Sequence, residues 1–285
     1  MKAIVLRSAL FLTMCLVLLC VTGCQNQVAD PDALPDQGIT EWTIAFDGDD
    51  FTATQGAGVS REGNVILLTR PGIYTLSGTL SDAQICVRVT KAEWVTLVLN
   101  ELTVSCSTSA PLYIESADKV TVELMDGTVN TLTDAKKYVF NGVETKPNAC
   151  LYSSEDITFK GEGKLIVNAN YNNGIGSKND VKIKGGSFEI NAVKNAIKGN
   201  DSVQISGGNI LITKCKDGIK TDATEPGRGV LTVTSGSIEI HAEDDGLQAS
   251  QEIAVSGGAI TVEALGKTVN CDGMVNISDG CLTEK

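Results

Sequence analysis

The 285-residue chain carries 35 acidic against 23 basic residues, a formal net charge of −12, which excludes nucleic acid as an expected partner because phosphate binding needs the opposite sign. Lys2 and Arg7 fall within the first 23 residues, so the remainder holds 21 basic and 35 acidic residues, or −14, a balance suited to divalent cations. Its 29 glycines, 5% aromatics and lack of long helical periodicity exclude a helical bundle and point to many short strands joined by tight turns.

Residues 1–23 combine Lys2 and Arg7 with an apolar run from Ala9 to Val21 and no acidic residue, the pattern of a secretory signal peptide. The run is shorter than the roughly 20 residues a membrane-spanning helix needs. Val21-Thr22-Gly23-Cys24 resembles the end of a bacterial lipoprotein signal, so Cys24 is the expected lipidated first residue, and two acyl chains hold a protein on a membrane stably. The expected location is therefore extracytoplasmic, lipid-anchored to a bacterial cell membrane or outer membrane. Residues 24–40, with Asp30, Asp32, Asp36, Pro31 and Pro35, have the composition of a flexible linker.

Six cysteines follow the anchor: Cys86, Cys106, Cys150, Cys215, Cys271 and Cys281. Their spacing fits no zinc pattern, and the compartment permits disulfides. Most are expected to be buried small hydrophobes, with Cys86 and Cys106 the first pair to examine for a bridge.

Residues 41–80, with Trp42, Phe46, Phe51 and Tyr74, are expected to cap the N-terminal edge of a solenoid formed by residues 81–285. Strands are expected at Val87 to Val89, Val95 to Leu99 and Leu102 to Val104, followed by irregular coils over 110–124 and 149–167. From residue 173 the sequence repeats. Val181 to Ile190 (VKIKGGSFEI) returns at Val203 to Ile212 (VQISGGNILI), 22 residues on. Further copies are Leu231 to Ile240 (LTVTSGSIEI), after 22 residues plus a six-residue insertion around 225–229, and Ile253 to Val262 (IAVSGGAITV). A last copy, Val275 to Leu282 (VNISDGCL), breaks off in mid-repeat.

Such regularity is the signature of a solenoid, and alternation with period two excludes a helical one. The expected fold is all-β, a right-handed parallel β-helix of about 22 residues per coil, with glycine at the bends because it tolerates positive φ. Inward Ile, Val and Leu then stack as ladders, while Lys182, Gln204, Thr232 and Ala254 point outward.

Polar residues concentrate between the second strand of one coil and the first of the next. The equivalent quartets run from Asn172 (NNGI), Lys194 (KNAI), Lys216 (KDGI) and Asp244 (DDGL). In a parallel stack Asp217 and Asp245 lie about one strand spacing apart and repel unless something intervenes. Calcium, taking six to eight oxygens, is the cofactor this arrangement suggests, with Asp217, Asp245, Asp244, Asp222, Asp201, Asn195 and Asn173 as candidate ligands. The alternative is that Asn173 and Asn195 form an amide ladder and the aspartates cap turns. Lys198 and Lys220 form a column continuing into Gln248, beside a second column of Lys194, Lys216 and Asp244. These residues either grip the carboxylates of a uronic acid polymer or neutralise the aspartates.

The segments 116–122 (SADKVTV), 127–134 (GTVNTLTD), 167–175 (VNANYNNGI), 217–222 (DGIKTD) and 245–249 (DGLQA) resemble a family of secreted bacterial carbohydrate-binding proteins that look like pectate lyases in fold. The resemblance runs from about residue 40 to the end. It implies a right-handed parallel β-helix, bound calcium on the corner aspartates, and affinity for plant cell-wall polysaccharide, including acidic pectin-type chains. Asn173 and Asn195 stand where the family usually has aspartate, which lowers the ligand charge there. The function expected is non-catalytic, calcium-dependent binding of an acidic or cellulosic polysaccharide by a monomeric surface lipoprotein. Two alternatives remain: a lyase with Lys198 or Lys220 as base, disfavoured by loops no longer than 223–229, and a structural or adhesin-like surface protein.

Overall fold

A computed structural model describes residues 40–140 and 146–285; the expected signal peptide, Cys24 and nearly all of the expected linker lie outside the described residues. The described residues form strands and turns with no helix, so none of them could cross a membrane as a helix. They build a parallel β-solenoid of about nine turns.

One inward ladder shows how the coils stack. Val95 pairs with Val120, then Ile157, Val181, Val203, Leu231, Ile253 and Val275, each on the next coil. The steps of 22 belong to the regular C-terminal coils; longer ones upstream raise the mean to about 24 residues per turn. The strands fall on three faces. Face 1 contains Lys119–Leu124, Asp156–Gly161, Asp180–Ile183, Glu252–Val255 and Met274–Ile277. Face 2 contains Val129–Thr133, Lys164–Ala169, Ser187–Ala192, Ala259–Ala264 and Leu282–Glu284. Ser202–Cys215 and Val230–Ala242 run through the bend and serve both faces. Face 3 is a separate sheet of ten strands, nine of them parallel.

Glycine turns the chain between faces 1 and 2. Gly186, Gly208, Gly236 and Gly258 have φ of 94°, 87°, 105° and 87°. A Cβ on Gly208 would lie 2.8 Å from the carbonyl oxygen of Gly186, and one on Gly236 would lie 2.9 Å from that of Gly208, so each bend is roofed by the one before it. In the coil of Trp94–Ser105 the bend is made by Glu101 at φ 55°, an extra residue that interrupts the register with Gly72–Leu80. There the buried Asn130 accepts the Leu102 N–H at 2.9 Å through its Oδ1, next to the interruption, and donates to Lys164 O.

Parallel pairing begins inside the segment expected to be a cap. Glu41–Gly48 pairs in parallel with Gly72–Leu80, and Val65–Leu68 with Gln84–Arg88, so these strands already belong to the solenoid. Among the described strands only Asp50–Ala53 and Val59–Glu62 run antiparallel, and they occupy the N-terminal edge. At the other end the broken last copy still contributes to all three faces, through Val269–Cys271, Met274–Ile277 and Leu282–Glu284.

One apolar core threads the coils from Ile44 to Val262. Phe159 on face 1 and Phe188 on face 2 meet edge to face, ring centroids 5.5 Å apart, in its middle. Cys86, Cys106, Cys150 and Cys215 are buried and all six described cysteines are free thiols. Cys86 and Cys106, the pair to examine first for a bridge, are not joined. Cys86 points outward from face 3 into a cluster with Leu67, Tyr113 and Tyr152, whereas Cys106 lies past the end of a face 2 strand with its Sγ 3.8 Å from Thr108 Oγ1. Phe159→Ala leaves a cavity that rigid sheets on three sides cannot collapse into. It should cost about 3–5 kcal/mol, read as a lower denaturant midpoint at unchanged slope; an unchanged midpoint would show that the rings do not share a packed interior.

Candidate functional site

The polar quartets that the sequence places at a corner are in fact the start of the third strand. Asn173–Ser177, Asn195–Gly199, Asp217–Lys220 and Leu247–Ala249 pair in sequence on face 3, with Ile175, Ile197, Ile219 and Leu247 turned inward. The residue before or at each strand start is polar and almost fully buried, so it must find partners along the stack. Asn173 Nδ2 donates to Asn148 Oδ1 at 3.3 Å, and Asn195 Nδ2 donates to Asn173 Oδ1 at 2.7 Å. The amide ladder therefore exists, and Asn195 in turn pairs in register with Asp217.

Below the amides the same column turns acidic. Asp217 and Asp245 are 5% and 7% exposed, and with Asp244 they bring carboxylate oxygens within 4.8 Å of one another. At one strand spacing two such charges repel by about 3 kcal/mol at an effective dielectric of 20. Local geometry enforces the approach: a Cβ on Gly218 would lie 2.4 Å from Gly246 O, so only glycine lets the two coils close at this point. Partial compensation comes from cations and donors. Lys216 reaches Asp244 at 3.1 Å and Lys220 reaches Asp217 at 3.7 Å. The Lys267 N–H donates to Asp245 Oδ1 at 3.0 Å and Asn270 donates to Oδ2. Hydrogen bonding to Asp244 pushes the exposed Lys216 ammonium above its ordinary range. Three carboxylates against two ammonium groups leave this cluster one negative charge in excess.

The structure gathers some of the expected ligands and disperses others. Asp217, Asp244 and Asp245 come together, and Asn195 and Asn173 extend their column. Asp222 and Asp201 belong to the opposite end of the short face 3 strands. Asp222 is held by Lys198 at 2.6 Å and Asp201 by Arg228 at 3.3 Å. Lys198, Lys220 and Gln248 are in register as an outward column, and Lys194, Lys216 and Asp244 follow one another through backbone bonds of 2.8 Å. The Gln248 Oε1 is buried with no hydrogen-bond partner.

Upward, the outward column of face 3 continues from Lys198 through Gly176, Tyr152 and Tyr113 to Cys86. Burial lifts the Tyr113 and Tyr152 hydroxyls to about 12, and both rings are too enclosed to form an open stacking platform. Gly176 leaves a notch of about 340 Å³ between Tyr152 and Lys198, bordered by Asn148, Asn179 and Asn200. Little of this upper half stands out in the sequence, since the repeat is irregular there. Asn148 could have been found by extending the asparagine column one coil upstream.

The longest loop is not 223–229. Val120 and Ile157 are register partners 37 residues apart, and the excess lies between Thr133 and Ala149. The described part of this loop is pinned by Tyr138, which stacks on Tyr171 at 4.2 Å and donates its hydroxyl proton to Asp134 at 2.7 Å. Asp134 also accepts the Asn170 N–H. The expectation that no loop is longer than 223–229 is therefore corrected.

Comparison with known proteins accords with this architecture. A family model described as carbohydrate-binding domain-containing protein matches residues 62–283. The chain belongs to that family. A carbohydrate-binding domain-containing protein of Acetivibrio thermocellus is 43% identical over 283 residues, covering 99% of this chain and 97% of the relative. A solved structure, that of the polysaccharide lyase-like protein from C. thermocellum in a gadolinium derivative, is 44% identical, with a TM-score of 0.83 over 86% of this chain and all of that one.

Burial raises the Asp134 carboxyl from its ordinary 3.8 to about 6, against the opposing pull of its hydrogen bonds. Between these values the folded state binds more protons than the unfolded state, so stability falls as pH rises from about 4 to 6. The effect is at most about 3 kcal/mol. Asp134→Asn keeps an acceptor for Tyr138 and removes the titration. Melting scans across this window should slope downward for the native chain and lie flatter for the variant; parallel profiles would contradict the assignment.

Proposed function

We propose that the protein is a non-catalytic, calcium-dependent polysaccharide-binding lipoprotein, lipid-anchored through Cys24, whose ligand is an acidic, pectin-type cell-wall glycan. The single observation that carries this reading is the juxtaposition on face 3 of the Asp217, Asp244 and Asp245 carboxylates with the Lys198 and Lys220 column. Three carboxylates within 4.8 Å, two of them buried, fit a hard cation that takes oxygen ligands. The similar C. thermocellum structure was solved as a gadolinium derivative, and gadolinium is likewise a hard, oxygen-seeking ion. Bound calcium would supply positive charge for uronate carboxylates. The protein's own lysines would add charge-assisted hydrogen bonds from the adjoining column.

A lyase reading draws on the name of the similar structure and on the loop wall beside face 3. It also needs a free amine to take a proton, and both candidate bases are engaged as cations, Lys198 with Asp222 and Lys220 with Asp217. Binding without cleavage is the better match. On immobilised polygalacturonate the protein should be retained with calcium and released by a chelator. Lys198→Ala/Lys220→Ala should bind at least about tenfold more weakly, roughly 1.4 kcal/mol, with its strand content intact by circular dichroism. Ultraviolet absorbance from an unsaturated product would overturn the non-catalytic reading, and retention indifferent to chelator would overturn the calcium.

A further inference from the structure

Face 3 has a second concavity, several coils away from the aspartates. The outward column there presents Cys86 and Tyr113 in register, and a cavity of about 490 Å³ opens over them. That size falls within the roughly 300–1,000 Å³ typical of small-ligand sites. Val139, from the long loop, borders it.

The rim is made of amides and hydroxyls held in place by one another. Gln84 Nε2 donates to Ser109 Oγ at 3.1 Å and to Ala110 O at 2.9 Å, and Asn64 Nδ2 donates to Thr108 Oγ1 at 2.9 Å. Arg88 clamps Glu115 across two coils through Nε at 3.0 Å and Nη2 at 2.9 Å, a planar fork at the cavity edge. The floor is inert: burial, then the Glu115 charge, push the Cys86 thiol far above its ordinary range. Its fully charged lining groups are Arg88, Glu115 and Glu62, a net charge of −1, so an anionic sugar is disfavoured where the lysine half of the same face favours one.

We propose that this cavity is a subsite for a neutral pyranose within a glycan chain. Vicinal sugar hydroxyls both donate and accept, and the amide, hydroxyl and Arg–Glu groups of the rim offer both partners. Val65 and Val139 supply the apolar lining that the ring's apolar face needs, over a floor of buried Cys86 and Tyr113. Tyr113 and Tyr152, with ring centroids 5.9 Å apart, lead from it to the notch at Gly176 and so to Lys198. Cys86 and Lys198 are four register steps apart, about 19 Å at one strand spacing per coil, a length that a single oligosaccharide lying along the axis can span. The inference shares the glycan-binding family with the reading above, but neither its calcium nor its lysines.

Calorimetric titration of the protein with xylohexaose, cellohexaose and mannohexaose, in chelator, tests it. At least one of these neutral hexaoses should bind. Asn64→Ala/Glu115→Ala, both at partly exposed positions, should weaken that binding at least tenfold without lowering the melting temperature, and should leave calcium-dependent binding of trigalacturonate unchanged. If the double variant fails to fold, Val139→Asp, at a site 52% exposed, perturbs the same wall and should likewise reduce binding. No binding of any of the three hexaoses, or binding untouched by a folded variant, would overturn the subsite. Loss of trigalacturonate binding in Lys198→Ala/Lys220→Ala alone reports on the acidic-glycan reading and leaves this one standing.

Discussion

Parallel register is the constraint on which everything else in this molecule rests. Each coil sets its residues directly over their counterparts in the coil before, about one strand spacing away, so whatever occupies a column must tolerate its own kind as a neighbour. Aliphatic side chains do so at no cost, and the Val120, Ile157, Val181, Val203 ladder fills the interior. At the face 1 to face 2 bend the same rule selects glycine, because each bend lies against the carbonyl of the last. On face 3 it selects amides, whose carbonyl and NH₂ groups satisfy one another along Asn148, Asn173 and Asn195. Carboxylates break the rule. Asp217 and Asp245 continue a column that stacking makes unfavourable for them, and the lysines around them compensate only in part.

Face 3 consequently has two chemical halves on one continuous track. Its C-terminal coils offer alternating carboxylates and ammonium groups, and its N-terminal coils offer amides, hydroxyls and a closed Arg–Glu pair. The described part of the loop between Thr133 and Ala149 borders the upper half, pinned by Tyr138 on Tyr171. The chain belongs to a carbohydrate-binding family, and a glycan is itself a linear repeat with polar groups at regular intervals, as the columns of face 3 are.

The sequence disclosed most where the coils are most alike. From residue 173 onward the 22-residue period shows the inward ladder, the glycine bends and the columns of Lys198 and Asp217, because insertions there are few. The position of the third strand is hard to read in the sequence for a physical reason. Three to five residues with one inward apolar position, such as Ile219 in Asp217–Lys220, cannot display an alternation, and its polar start resembles a turn. Asp201 and Asp222 lie apart from the other candidate ligands because crossing that short strand carries them to the next corner. The long loop was hidden by the irregular coils around it, and with it went the wall of the upper cavity. Residues 41–80 resembled a cap because aromatic side chains replace the aliphatic pattern, although their backbone already pairs in parallel.

The most direct test of whether the acidic end of the ladder is a cation site is the melting temperature of the protein as a function of calcium concentration. A ligand that binds only the folded state stabilises it by an amount that grows with the logarithm of its concentration. For the native chain the midpoint should climb steadily with added calcium, and more than with magnesium, which demands a tighter octahedral shell than stacked carboxylates provide. In Asp217→Asn/Asp245→Asn, which extends the amide ladder through two more coils, the starting midpoint should be at least as high and the calcium dependence lost. A native midpoint indifferent to calcium would contradict the account, as would a variant that responds to it as the native chain does.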